Sequence, residues 1–133
     1  MPQNTQYVVM IKPVSFALNT ETMSTNAFQR SDELNSSVQN LALSEFNALV
    51  QLLKQNDIQV MVVNDTEQPF TPDSIFPNNW FSTHDDGTMV LYPLYAANRR
   101  NERRADIAQM ISDDFVIHDI LDFPHYQSLY YLV

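Results

Sequence analysis

The chain has 133 residues, of which 44% are hydrophobic and 11% aromatic; this excludes a disordered polypeptide and fits one small domain with a core of its own. A formal net charge of −9 excludes a general nucleic-acid surface, which needs an excess of cations against phosphate. Zero cysteines remove disulfides, thiolate metal sites and cysteine catalysis from these residues, and a single glycine leaves no phosphate-cradling loop for ATP or a dinucleotide.

Residues 7–12, YVVMIK, form a short apolar run closed by Pro13 and read as a buried strand. Residues 15–32 are polar and irregular, the pattern of a long loop, and long loops in compact domains are often functional. From about residue 35 to 56, Val38, Ala42, Phe46, Leu49 and Leu53 recur at helical spacing and predict an amphipathic helix facing the core along that line. Ser36 with Gln39 fits a capping box at its start. Residues 58–63, IQVMVV, then read as a strand buried on both faces, which gives a βαβ-type unit.

After the loop 71–79, two β-prone runs at 80–84 and 88–92 flank Asp85-Asp86-Gly87, and an Asp-Gly pair there predicts a hairpin. A second helix is expected over about 101–113 with Ile107, Met110 and Ile111 inward, then a strand at 115–118. The fold class is α/β, with two similar units in tandem. The tail from Tyr126 to Val133 is apolar, and the chain reads as one that stops in mid-strand. No apolar run approaches the roughly 20 residues of a membrane span, and no basic-then-apolar leader opens the chain. A cytoplasmic protein is expected.

The stretch TPDSIFPNNWFSTH, residues 71–84, holds most of the candidate chemistry. Asp73 fits a turn cap, Asn78-Asn79 a left-handed turn pair and Trp80 a core residue. Their concentration on one loop between strands points instead to binding. His84, at a hairpin end, reads as solvated, and His118 and His125 lack the spacing of a metal site. Arg99, Arg100, Arg103 and Arg104 fit a salt-bridge network with Glu102 and Asp106, or, at Arg99 and Arg100, a fork for a carboxylate.

These two stretches, TPDSIFPNNWFSTH and DDGTMVLYPLYAANRRNERR, together with VVMIKPVSF and Asn19-Thr-Glu-Thr22, resemble the N-terminal part of the guanidino-group-modifying superfamily. That superfamily includes amidinotransferases, arginine deiminases and dimethylarginine hydrolases, and the likeness over about residues 7–122 is nearest to its citrulline-hydrolysing, amidinotransferase-like branch. The resemblance implies a five-bladed α/β propeller, the pentein fold. Residues 1–133 would form a single incomplete domain of it, about two ββαβ-type units. It also implies attack by a cysteine thiolate with a histidine as acid and base, and a small-molecule substrate such as citrulline or an arginine derivative; no metal is assigned, because the histidines lack ligand spacing, and no cofactor is expected.

Carried over by motif, the substrate-binding residues are Asp73, Phe76, Asn78, Asn79, Trp80, Arg99 and Arg100. Asp73 would contact the substrate's α-amino group, Asn79 would stand where relatives place a guanidinium-binding aspartate, and one of Arg99 and Arg100 would meet the carboxylate. An amide at position 79 complements a neutral ureido group, which both donates and accepts, better than a guanidinium, which only donates. No thiol is present to attack a carbon, so no catalytic residue is assigned and the chain is expected to bind substrate without turnover. Two alternatives stay open: a non-catalytic ligand-binding module and an acidic interaction domain. Apolar residues around 126–133 are expected to make the isolated chain self-associate, as a homo-oligomer or an aggregate.

Overall fold

The structure, a computed structural model, describes residues 5–22 and 36–123. The expected loop between 23 and 32 and the apolar tail lie outside the described residues. The elements run β1 (Tyr7–Lys12), α1 (Ser36–Gln55), β2 (Gln59–Asn64), a short 3-10 helix (Pro77–Asn79), β3 (Phe81–Thr83), β4 (Thr88–Leu91), a second 3-10 helix (Ala97–Glu102), α2 (Ala105–Asp114) and β5 (Asp119–Asp122). The architecture is mixed α/β. Two compact units divide it, the first holding described residues 5–19 and 36–75, the second 20–22 and 76–123.

In the first unit β1 and β2 pair in parallel, Tyr7 opposite Gln59 and Lys12 opposite Asn64, with α1 as the crossover between them. The helix ends where Asp57 adopts a left-handed φ of 61° and the Ile58 N–H donates to Leu53 O at 3.0 Å. The core of this unit is Ile11 of β1, Val50 of α1 and Val63 of β2. Two expectations are corrected here. The helix buries Val50 in place of Leu49, which is 46% exposed, while Val38, Ala42, Phe46 and Leu53 are half-buried along the expected line. β2 is not buried on both faces: Gln59, Val62 and Asn64 lie exposed, because a two-stranded sheet with one helix covers a single face. The capping box expected of Ser36 and Gln39 involves a Ser36 side chain outside the described residues, and Gln39 is seen in a different role. Its carboxamide reaches back to the chain after β1 instead, donating to Pro13 O at 2.9 Å and accepting from the Phe16 N–H at 2.6 Å.

In the second unit β3 and β4 pair antiparallel as the expected hairpin, and β5 joins β4 in parallel, giving the order β3-β4-β5. Gly87 turns the hairpin at φ +81°, a region costly for any side chain. The Asp86 carboxylate accepts from the Thr88 N–H at 2.9 Å, and that bond holds its carboxyl below the usual range. Trp80, Met89, Leu94, Ile107 and Ile111, each no more than 2% exposed, form the core. Burying each contributes about 1.5–3 kcal/mol.

The expected second helix is split: a 3-10 turn ends at Glu102, Arg103 and Arg104 are non-helical, and α2 starts only at Ala105. Within α2, Met110 is 40% exposed rather than inward. The last strand is not 115–118 but 119–122. Gly87 O accepts from both the His118 and Asp119 N–H groups, and the ladder with β4 begins only there, so 115–118 is the return from α2. Among the described residues no helix is long and apolar enough to cross a membrane.

Candidate functional site

Asp73 belongs to the first unit; Phe76, Asn78, Asn79, Trp80, Arg99 and Arg100 belong to the second. The Asp73 carboxylate is buried, at 5% exposure, and accepts from Asn19 Nδ2 at 2.7 Å. Around it Thr71 and Ser74 are buried too, and both hydroxyls donate to Asp65, which follows β2 directly. This polar interior is fully hydrogen-bonded, as burial demands.

In the second unit, Pro77 opens the 3-10 helix, its ring presetting the backbone for a first helical position. Asn79 N–H donates to Phe76 O at 3.1 Å and Trp80 N–H to Pro77 O at 3.0 Å. The result is a rigid pedestal. Phe76 and Asn78 are exposed on it, Asn79 is half-buried, and the Trp80 indole points down into the core, edge-on to Phe81 with ring centroids 4.7 Å apart. At 1% exposure the indole anchors the pedestal. The three residues of the Asn-Asn-Trp run therefore differ in burial, from exposed Asn78 through half-buried Asn79 to the enclosed indole.

The two arginines divide as well. Arg99 is buried and grips Glu102 with both prongs, Nε to Oε1 at 3.0 Å and Nη2 to Oε2 at 2.9 Å. Arg100 is exposed and donates to the carbonyls of Leu94 at 3.2 Å and Tyr95 at 3.1 Å. Tyr92 N–H donates to Trp80 O at 2.8 Å, so the segment leaving β4 is tied to the pedestal at one end and to Arg100 at the other. Arg104 pairs with Asp106 and Arg99 with Glu102, as the salt-bridge reading has it, whereas Arg103 pairs with Asp122, a partner the sequence reading did not name. His84 is exposed and shares hydrogen bonds along the hairpin, its Nε2 lying 3.0 Å from Ser82 Oγ, which is 2.8 Å from the Tyr92 hydroxyl. Among the described residues no three His, Asp or Glu side chains converge to hold a metal ion.

The family model described as N,N dimethylarginine dimethylhydrolase, eukaryotic, matches residues 12–130. The chain belongs to this family. It is thereby a member of the guanidino-group-modifying superfamily. No curated protein and no solved structure matches the chain. The reaction that the name of the dimethylarginine dimethylhydrolase family describes is hydrolysis at a methylated guanidino group, whereas the sequence likeness was nearest to the citrulline-hydrolysing branch. Sequence reasoning missed Asn19 as the partner of Asp73, and it missed Asp65 altogether. The signal for Asp65 was an aspartate directly after an apolar strand, with the hydroxyl residues Thr71 and Ser74 six and nine positions on.

Proposed function

We propose that this dimethylarginine dimethylhydrolase family member binds an amino acid whose side chain ends in a flat guanidino or ureido group. The observation that carries the reading is Asp73: a buried carboxylate, held at 2.7 Å by an amide, on the segment where the superfamily likeness expects the substrate's α-amino group to be met. Ionised carboxylates fixed by hydrogen bonds make strong, oriented partners for ammonium groups. Asn78 and Asn79, raised on the short helix over Trp80, would face the headgroup, with Phe76 beside them as an exposed ring. Arg100, rather than the Glu102-bound Arg99, would meet the substrate carboxylate, because its guanidinium lies at the surface.

Hydrolysis of a dimethylated guanidinium leaves a ureido group, so citrulline is the product expected from the reaction that gives the family its name. An amide at position 79 favours the neutral ureido form, and the affinity order is expected to be citrulline above arginine. No thiol occurs in these 133 residues, and the attacking sulfur would have to come from other polypeptide. Under this reading the two units are blades of a five-bladed propeller and the chain alone is inactive. The lack of cysteine also supports a second reading, ligand binding without chemistry.

Titration calorimetry with citrulline, arginine and N,N-dimethylarginine tests the proposal. Citrulline should bind more tightly than arginine, and Asn79→Asp should shift that ratio toward arginine by about tenfold, the value of about 1.4 kcal/mol of added charge complementarity. Tighter arginine binding with a ratio that Asn79→Asp leaves unmoved would end it.

A further inference from the structure

Asp65 is placed where the end of the sheet meets the turn that carries Asp73. Its backbone N–H donates to Lys12 O at 3.1 Å, which fixes it to the last residue of the neighbouring strand. Its carboxylate accepts from Ser74 Oγ at 2.6 Å and from Thr71 Oγ1 at 3.3 Å to each oxygen. The turn between those hydroxyls is closed by the Ser74 N–H donating to Thr71 O at 3.2 Å, and Asp73 lies inside it. All four side chains are buried.

We infer that Asp65 is a positioning residue for Asp73, clamping the 71–74 turn to the sheet from both ends so that the Asp73 carboxylate is set before any ligand arrives. A carboxylate suits the task because it only accepts, and both flanking hydroxyls donate to it. An amide at the same place offers one acceptor, and its N–H groups face the second hydroxyl, which must turn its own proton away. Rigid attachment matters because a turn ordered only on binding weakens the ligand by the entropy of ordering. The inference rests on the reading that Asp73 meets an α-amino group.

The test uses the full chain in two measurements, amide hydrogen exchange and calorimetry with N,N-dimethylarginine and its des-amino analogue. Asp65→Ala should raise exchange at residues 71–76 by about tenfold while β1 and β2 change by less than about twofold, since the lost bonds are local. The preference for the amino-bearing ligand should fall by about tenfold, the loss of about one oriented charged hydrogen bond. Asp65→Asn should lie between Ala and the parent, and Thr71→Val with Ser74→Ala should reproduce the Ala effect. Exchange that rises equally in β1 and β2, or nowhere, overturns the clamp. If the parent protein shows no preference for the amino-bearing ligand, the ligand role of Asp73 fails, whereas the exchange pattern still decides whether Asp65 holds the turn.

Discussion

Asn19 and Asp73, 54 residues apart in the chain, meet in the interior of the first unit, where Asn19 Nδ2 donates to Asp73 Oδ2 at 2.7 Å. The carboxamide is 1% exposed and the carboxylate 5%, so water replaces neither partner. Removing the donor leaves an acceptor short of a bond that it cannot recover from solvent. Asn19→Ala is expected to lower stability by about 1–3 kcal/mol in urea unfolding. Asn19→Asp, which sets two carboxylates against each other, should cost more, about 3 kcal/mol or above. Equal losses for the two variants would mean that the contact is packing and not charge-assisted bonding.

Arg99 and Arg100 are adjacent yet should respond to substitution in different measurements. Arg99→Ala takes a two-pronged ion pair from Glu102, 3% exposed, and should destabilise the protein by about 3 kcal/mol. Arg100→Ala loses bonds to two carbonyls at the surface and should cost about 1 kcal/mol or less, while weakening binding of any ligand that carries an α-carboxylate. Thermal unfolding of both variants, followed by calorimetry of Arg100→Ala with citrulline and its decarboxylated analogue, separates the two roles.

Gly87 is the one glycine in the chain, and two separate features require it. Its φ of +81° disfavours any Cβ, and a Cβ built there lies 2.6 Å from His118 Cδ2 and 3.1 Å from the Val116 carbonyl oxygen. Gly87→Ala should therefore destabilise the second unit by about 1–3 kcal/mol, read from Trp80 fluorescence during unfolding. Adding His118→Ala should recover only the clash with the imidazole, since the close approach to the Val116 carbonyl and the strained backbone both remain.

Arg104 holds Asp106 at the start of α2, Nε to Oδ1 at 3.0 Å and Nη2 to Oδ2 at 2.7 Å, and this pairing keeps the carboxyl below its ordinary range. With the folded-state value depressed, the stabilisation is complete above the unfolded value of about 3.9 and is lost as pH falls through the lower, folded one. The pair is half-exposed, so its worth stays below about 1 kcal/mol. Asp106→Asn should leave the urea midpoint at pH 7 nearly unchanged and flatten its fall below about pH 4.

The parts of the fold that were legible in the sequence are those set by neighbouring residues. The 7–12 run, the helix periodicity of 36–55, and Asp-Gly between two β-prone runs all depend on contacts a few positions apart, and each element stands where its pattern predicts. The errors fall where distant chain decides. Phe115-Val-Ile looks more like a strand than Asp119-Ile-Leu-Asp, but pairing starts where the Gly87 carbonyl is within reach. The helix expected from about residue 101 begins only at Ala105, because the two arginines before it are non-helical, one drawn to Asp122 and the other to Asp106. At the candidate site the motif marked the 71–79 segment between β2 and β3, and it could not show that the indole is buried to 1% exposure or that Glu102 already occupies Arg99. Those outcomes depend on burial and on partners that no local spacing encodes.

The parallel pairing of β1 with β2 has a consequence for biosynthesis. Tyr7 waits for Gln59, 52 residues downstream, and a ribosome adding about 5–20 residues per second needs several seconds to deliver it. Throughout that interval the nascent Val8–Ile11 segment has emerged without its lateral mate, and it is the stretch that a trigger-type chaperone would be expected to shield first.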